Sequence, residues 1–147
     1  MFVFYRIEDF ILLEKLQLIK LIVERGFVIQ LPQLRLGNFG FNKCRQLETL
    51  AEKGMIEIKE ERSDVFCFVE KYNVIYRGAG RSLLALLYFC QTEKSIFIVD
   101  ENETMIRGLA KEMNIQTCSL IEFYKDTLND EKYLPFIIEI KKNGMIK

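Results

Sequence analysis

The chain has 147 residues, half of them apolar, and its 21 lysines and arginines balance 21 aspartates and glutamates. This size and composition predict a single globular domain over residues 1–147 and exclude a disordered chain. The net charge of zero argues against a domain that holds nucleic acid by bulk electrostatics. Because the chain contains no histidine, acid–base or nucleophilic catalysis by histidine is excluded.

The cysteines and the N-terminus indicate the compartment. The four cysteines are widely spaced and form no CxxC pair: Cys44, Cys67, Cys90 and Cys118. We therefore expect free, buried thiols in a reducing cytosol and no structural zinc site. The N-terminal apolar run is too short for a signal sequence or a membrane span. We expect a cytoplasmic protein that does not associate with membranes.

Strands alternate with helices along the predicted chain. Short runs of aromatic and β-branched residues predict strands, and apolar residues at helical spacing predict helices. The predicted strands cover residues 2–7, 27–31, 55–58, 95–99 and 115–118. The predicted helices cover residues 10–24, 42–53, 64–72, 81–91, 104–113, 119–128 and 133–143. This order predicts an α/β fold, a three-layer α/β/α domain around a parallel central sheet of four to five strands.

Acidic residues follow two of these strands. Glu8 and Asp9 follow the first, and Asp100, Glu101 and Glu103 follow the fourth. Parallel strands bring their carboxyl ends to one sheet edge, so these carboxylates converge if the two strands are neighbours. Grouped carboxylates suit Mg²⁺ or Mn²⁺, which can position a water against a phosphodiester. In the alternative interpretation, Asp9 and Asp100 each cap the helix that follows.

A glycine-rich segment, Arg77-Gly78-Ala79-Gly80-Arg81-Ser82, precedes the apolar helix 81–91. Free N–H groups at the start of a helix, with Arg77, Arg81 and Ser82 beside them, can hold a substrate phosphate. The segment lacks the GK[ST] ending of a Walker loop, and no strand frames it as a dinucleotide-binding motif. The alternative is a glycine turn with Ser82 as the helix cap.

The order of these segments resembles that of a PIN-like domain, the fold of toxin-type ribonucleases in bacterial toxin–antitoxin pairs. Four stretches carry the resemblance: RIEDFILLEKLQLIKLI, VIQLP, YRGAGRSLLALLYF and SIFIVDENETMIRGLAKEMNI. Together they extend over nearly the full chain in element order. Members of the family are endoribonucleases whose three or four acids bind Mg²⁺ or Mn²⁺ and activate a water. The resemblance therefore implies RNA as substrate and an antitoxin protein as partner.

The resemblance also assigns individual acids. The first family acid matches Asp9, with Glu8 as the alternative, and the fourth matches Glu101 or Asp100. The spacing from Glu101 to the Arg-x-x-Ala helix is about two residues longer than in the family, whereas the spacing from Glu103 matches it. The choice among Asp100, Glu101 and Glu103 therefore stays open. On this basis Asp9, Asp100 and Glu101 are the implied metal ligands, and Asp9 and Glu101 the catalytic residues.

Two acids of the family pattern are missing. The second would follow the proline-closed strand, where Leu34-Arg35-Leu36-Gly37 stands, and the third falls on Gly80 or Arg81. An arginine there places positive charge where the metal would bind, which weakens metal affinity. We therefore predict a degenerate PIN-like domain that is weakly active or inactive. An active enzyme would need replacement acids, for instance Glu60, Glu61 or Asp64.

Two other functions fit the same sequence. The first is a pseudo-nuclease, a non-catalytic module that binds a protein or an RNA through the same sheet edge. The second is a dimeric scaffold, in which aromatic residues such as Phe39, Phe41 and Phe136 form a homodimer interface. A sizing column distinguishes the homodimer from a monomer.

Overall fold

The structure is a computed structural model that describes residues 1–76 and 78–142. Five strands form one sheet, in the order β3-β2-β1-β4-β5, and all neighbours are parallel. The strands are β1 (Phe2–Phe4), β2 (Ile29–Pro32), β3 (Glu57–Lys59), β4 (Ile96–Ile98) and β5 (Thr117–Cys118). The helices are α1 (Ile7–Lys15), α2 (Leu18–Glu24), α3 (Phe41–Glu52), α4 (Val65–Asn73), α5 (Arg81–Glu93), α6 (Thr104–Glu112), α7 (Leu120–Leu128) and α8 (Leu134–Lys142). A 3₁₀ helix, Gln33–Asn38, follows β2.

Helices cover both faces of the sheet. Side chains alternate between the faces of a strand, so Phe2 and Phe4 of β1 belong to one apolar cluster and Val3 to another. The first cluster contains buried residues of α1, α2, α3, α7 and α8, and the second contains buried residues of α5 and α6. Helix α4 packs on α5 through Val65, Val69 and Leu84. The predicted three-layer α/β/α fold with a parallel central sheet is confirmed.

Strands β1 and β4 lie side by side and run in the same direction. Phe2 pairs with Ile96 and Phe4 pairs with Ile98. The ladder continues past the strand, because the N–H of Tyr5 donates to the carbonyl of Ile98 at 2.9 Å. The carboxyl ends of both strands therefore lie at one edge of the sheet, as the candidate acid site requires.

The predicted helix 10–24 is two helices, α1 and α2. Gln17 adopts a left-handed conformation with φ of 60°, and its N–H donates to the carbonyl of Glu14 at 2.8 Å. This break redirects the chain so that Leu13 before it and Leu18 after it are both buried. Apolar spacing alone misses such a break, because both helices keep the same periodicity.

The capping interpretations of the site residues are wrong. Helix α1 begins at Ile7 with Arg6 as its N-cap, so Asp9 lies in the first turn. The N-cap of α6 is Glu103 and not Asp100. Helix α5 begins at Arg81 with Gly80, at φ of 81°, as its N-cap, so Ser82 lies inside the first turn and is not the cap. Asp9 and Asp100 are therefore held by contacts other than helix caps.

Candidate functional site

Asp9 and Asp100 meet at one ammonium group, that of Lys141. The Nζ atom of Lys141 donates to Oδ1 and Oδ2 of Asp9, at 3.1 and 3.3 Å. The same Nζ lies 2.6 Å from Oδ2 of Asp100. Asp9 is only 4% exposed, and the side chains of Lys141 and Asp100 are 16% and 23% exposed. The structure thus brings together two of the predicted acids and places a lysine between them.

The charge of Asp9 depends on this lysine. Burial raises the pKa of the Asp9 carboxyl above its usual value, because a carboxylate is poorly solvated inside the protein. The charge and hydrogen bond of Lys141 lower this pKa, whereas the negative charge of Asp100 raises it further. Lys141 therefore offsets the repulsion between two carboxylates at a shielded site.

Helix α8 delivers Lys141 from the far end of the chain. The turn before it is fixed by Tyr124, whose hydroxyl donates to Oδ1 of Asp130 at 2.7 Å and accepts from the N–H of Tyr133 at 3.1 Å. Leu134 and Ile137 then bury one side of the helix in the core. Packing of this apolar side directs the last turn toward the carboxyl edge of the sheet.

Arg35 occupies the end of β1. Its guanidinium donates to the carbonyls of Phe4 and Tyr5 and lies 5.8 Å from the ring centroid of Phe39. Burial lowers the pKa of Arg35 to about 10, so the group stays protonated at neutral pH. It lies in the Leu34-Arg35-Leu36-Gly37 stretch, where the family pattern has its second acid. The positively charged guanidinium of Arg35 therefore occupies this part of the site, where it donates hydrogen bonds to the carbonyls at the end of β1.

Arg107 caps backbone carbonyls at the end of β4, as Arg35 does at the end of β1. Its Nη2 and Nε donate to the carbonyl of Val99 at 2.7 and 3.2 Å, and Nε also donates to the carbonyl of Asp100 at 3.1 Å. These bonds fix the backbone that carries the Asp100 side chain. Arg35, Arg107 and Lys141 thus place three positive charges at this edge of the sheet.

The residues at this edge do not fit a divalent metal ion as they are arranged. Lys141 uses the carboxylate oxygens that a metal would coordinate, and its positive charge repels a second cation. Among residues 1–76 and 78–142, no group of three or more His, Cys, Asp or Glu side chains is placed to hold a metal ion. As arranged, the site holds an internal ion pair of Lys141 with Asp9 and Asp100.

Among the described residues, the contacts of the other predicted acids are with partners other than Lys141. Glu8 pairs with Lys43 at 3.3 Å, and Glu101 is exposed. Among the proposed replacement acids, Glu61 accepts from the N–H of Leu34 at 3.0 Å, and burial raises the pKa of its carboxyl. Asp64 pairs with Arg62 at 3.2 Å. The contacts of Glu61 and Asp64 are structural, and neither residue adds an acid to the pair.

A cleft of about 600 Å³ lies at the same edge of the sheet, between the 3₁₀ helix and the α4–α5 pair. Its walls are mainly apolar and include Leu34, Phe39, Phe66, Val69, Leu83 and Leu86. The predicted phosphate-binding residues Arg81 and Ser82 line it, and Arg77 lies outside the described residues. Arg81 forms an ion pair with Glu70, and both side chains are exposed.

Searches against protein-family models, curated proteins and solved structures find no match to this chain. Among the described residues, no helix combines the length and apolar character needed to cross a membrane. The resemblance to PIN-like domains therefore rests on the residues quoted above.

Sequence reasoning missed Lys141 and the strand-capping role of Arg35. A lysine in the last turn of a helix is common, because it interacts favourably with the helix dipole. Lys141 therefore carried no distinctive signal. Arg35 had one: it stands where an acid was expected, and a charge reversal at a site position indicates a changed role.

Proposed function

We propose that this protein is a degenerate PIN-like domain, related to the metal-dependent endoribonucleases of bacterial toxin–antitoxin pairs, that does not cleave RNA. It acts instead as a non-catalytic module that binds a protein partner. The observation that carries this proposal is the ammonium of Lys141 between Asp9 and Asp100. An ammonium balances one of the two negative charges and donates hydrogen bonds to both carboxylates, but it offers no coordination site for a water.

This difference matters for phosphodiester cleavage. A divalent ion lowers the pKa of its bound water and holds the phosphate oxygens as charge develops on them. Lysine supplies one positive charge and three hydrogen-bond donors, and its bonds to Asp9 and Asp100 already use that capacity. The acid pair therefore stabilises the position of α8 and does not generate a nucleophile.

The cleft beside the acid pair is the binding surface of the proposal. Among the described residues, two arginines line the cleft: Arg35 donates to strand carbonyls, and Arg81 forms an exposed ion pair with Glu70. Phosphate contacts dominate RNA binding and need free positive charge, whereas an apolar wall with exposed Leu34 and Phe66 suits a peptide side chain. The cleft thus favours a protein partner, of which an antitoxin is one kind, over RNA.

A cleavage assay tests the loss of catalysis. Labelled single-stranded RNA is incubated with the purified chain in millimolar Mn²⁺, beside Asp9→Asn and a buffer blank. We expect the same background decay in all three samples. Cleavage that requires Mn²⁺ and disappears in Asp9→Asn would overturn the proposal.

Photocrosslinking tests the cleft. A benzophenone amino acid replaces Phe66 at the cleft and, as the matched control, Phe136, which is also exposed but lies on α8. In native-host lysate we expect a covalent adduct with a different protein from position 66 only. An RNA adduct would favour the RNA-binding alternative, and an adduct of two copies of this chain would favour the homodimeric scaffold. Either result would contradict the proposed protein-binding module.

A further inference from the structure

We infer that the outer edge of β5 binds an extended acidic segment of another protein, which joins the five-stranded sheet as a sixth strand. β5 is the last strand in the sheet order, so β4 covers one of its edges and the other faces outward. A shallow groove of about 510 Å³, the β5 groove, lies along this edge. Its lining residues come from α6 and the stretch that leads into β5: Arg107, Lys111, Asn114, Ile115, Gln116 and Thr117. The cleft of the proposed function is lined by different residues, so the β5 groove is an additional surface.

The backbone of Thr117 supplies the attachment point. The N–H of Phe97 donates to the carbonyl of Gln116 at 2.8 Å, and the N–H of Val99 donates to that of Cys118 at the same distance. Backbone groups of successive strand residues point to opposite edges, so the N–H and carbonyl of Thr117 point away from β4. One residue of an antiparallel segment can bond to both groups. An antiparallel edge strand on an otherwise parallel sheet is common.

Charge in the β5 groove selects the partner. Thr117 is in register with Phe97, which belongs to the apolar cluster that contains α6, so Thr117 presents its side chain on the α6 face. Exposed Lys111 and partly exposed Arg107 line the groove with it. Glu122 already lies 4.0 Å from Arg107, which leaves Lys111 as the principal cation. A partner residue opposite Thr117 places its side chain on the same face, and a carboxylate there complements Lys111.

Two other occupants fit this edge less well. A second copy of this chain would pair one β5 edge with another and bring like charges together, because a two-fold interface repeats the same residues on both sides. The phosphate oxygens of a nucleic acid accept hydrogen bonds but cannot donate one to the carbonyl of Thr117. A peptide backbone supplies both a donor and an acceptor, as in other cases of strand addition. The edge therefore favours an extended acidic peptide.

Titration of the intact, ¹⁵N-labelled chain with the peptide acetyl-Thr-Glu-Thr-Glu-Thr-amide tests this inference by NMR. Its two glutamates lie on one face of an extended strand. We expect the largest shifts at Thr117 and its neighbours, and slower hydrogen exchange of the Thr117 amide. Two control peptides carry glutamine in place of glutamate or N-methyl groups on both glutamate amides, and each should bind about tenfold more weakly or worse. Equal affinity of either control, or no binding at millimolar peptide, would refute the inference.

Variants of the protein locate the peptide. Lys111→Glu reverses the principal charge without touching the strand ladder, and Lys20→Glu on α2 is the matched control, because Lys20 is also exposed. We expect Lys111→Glu to weaken binding about fivefold or more and Lys20→Glu to leave it unchanged. Thr117→Pro removes the edge donor, a change that edge strands tolerate, and should abolish binding. Equal peptide affinity of Lys111→Glu and the wild type would contradict docking at β5. These outcomes are separate from crosslinking at Phe66, which reports on the cleft.

Discussion

The Nζ atom of Lys141 lies 3.1 Å from Oδ1 of Asp9, although 132 positions separate the two residues in the chain. This contact joins the last turn of the last described helix to the first turn of the first. The candidate site is therefore completed only when both ends of the domain are in place. Changes to either residue should affect stability as well as any activity of the site.

Loss of the lysine charge should destabilise the protein in a pH-dependent way. Lys141→Met leaves buried Asp9 beside Asp100 without a counter-ion, and breaking a buried pair costs on the order of 3 kcal/mol. Burial already raises the pKa of Asp9, and loss of Lys141, which lowers it, raises it further. A carboxyl with a folded-state pKa above its unfolded value destabilises the fold as pH rises through that interval. In urea unfolding, the deficit should be largest at pH 7 and shrink as Asp9 becomes protonated on acidification.

The double variant Lys141→Met, Asp9→Asn is the control for this interpretation. Removing both charges should recover most of the stability that Lys141→Met loses at pH 7, and the remaining loss should not depend on pH. A double-mutant cycle measures the coupling free energy between Lys141 and Asp9. A double variant as unstable as Lys141→Met at every pH would indicate that lost packing of the lysine stem, and not charge, causes the deficit.

Arg35 should contribute to stability through the carbonyls it caps. Arg35→Met leaves the carbonyls of Phe4 and Tyr5 without their charged donor and should lower the free energy of unfolding by about 3 kcal/mol. Arg35→Lys should recover only part of this loss, because an ammonium keeps the charge but cannot reproduce the planar two-donor geometry of the guanidinium. Exposed Arg45 is the control, and Arg45→Met should change stability by about 0.5 kcal/mol or less. Equal losses at positions 35 and 45 would contradict the capping role.

The hydroxyl of Tyr124 should determine how firmly α8 is attached. Tyr124→Phe removes the bonds to Asp130 and Tyr133, which should cost about 1–2 kcal/mol and speed hydrogen exchange in α8 more than in α5. Tyr133→Phe is the control, because Tyr133 joins this network through its backbone N–H. Unchanged exchange in α8 of Tyr124→Phe would argue against this attachment.

The sheet and its layers follow from local sequence patterns. Alternation of strand-like and helix-like segments predicts a parallel sheet covered on both faces, and the acids after β1 and β4 predict that one edge carries the site. Asp9 and Asp100 do lie together there. These features were accessible because each depends on periodicity or on residues close to a strand end.

The helix break at Gln17 and the position of Lys141 could not be predicted, because they depend on tertiary contacts and not on local sequence patterns. The break at Gln17 leaves the apolar periodicity intact, and the arrival of Lys141 depends on how Leu134 and Ile137 pack. The metal-binding acids were predicted from their own positions after the strands. Nothing near them in the sequence indicates that the fold brings Lys141 to them. Sequence reasoning thus located the candidate site but missed its counter-ion.

The four cysteines should react in an order set by burial. All are free, but Cys67 is exposed, contrary to the expectation of buried thiols, whereas Cys90 and Cys118 are buried. Burial raises the pKa of Cys118 to about 12 and also raises that of Cys90, so little thiolate is present at pH 8. Rate-resolved labelling with a disulfide reagent should modify Cys67 first, half-buried Cys44 more slowly, and the other two only on unfolding. Cys67→Ser should remove the fast phase, and rapid native-state labelling of Cys118 would contradict the placement of β5 in the sheet.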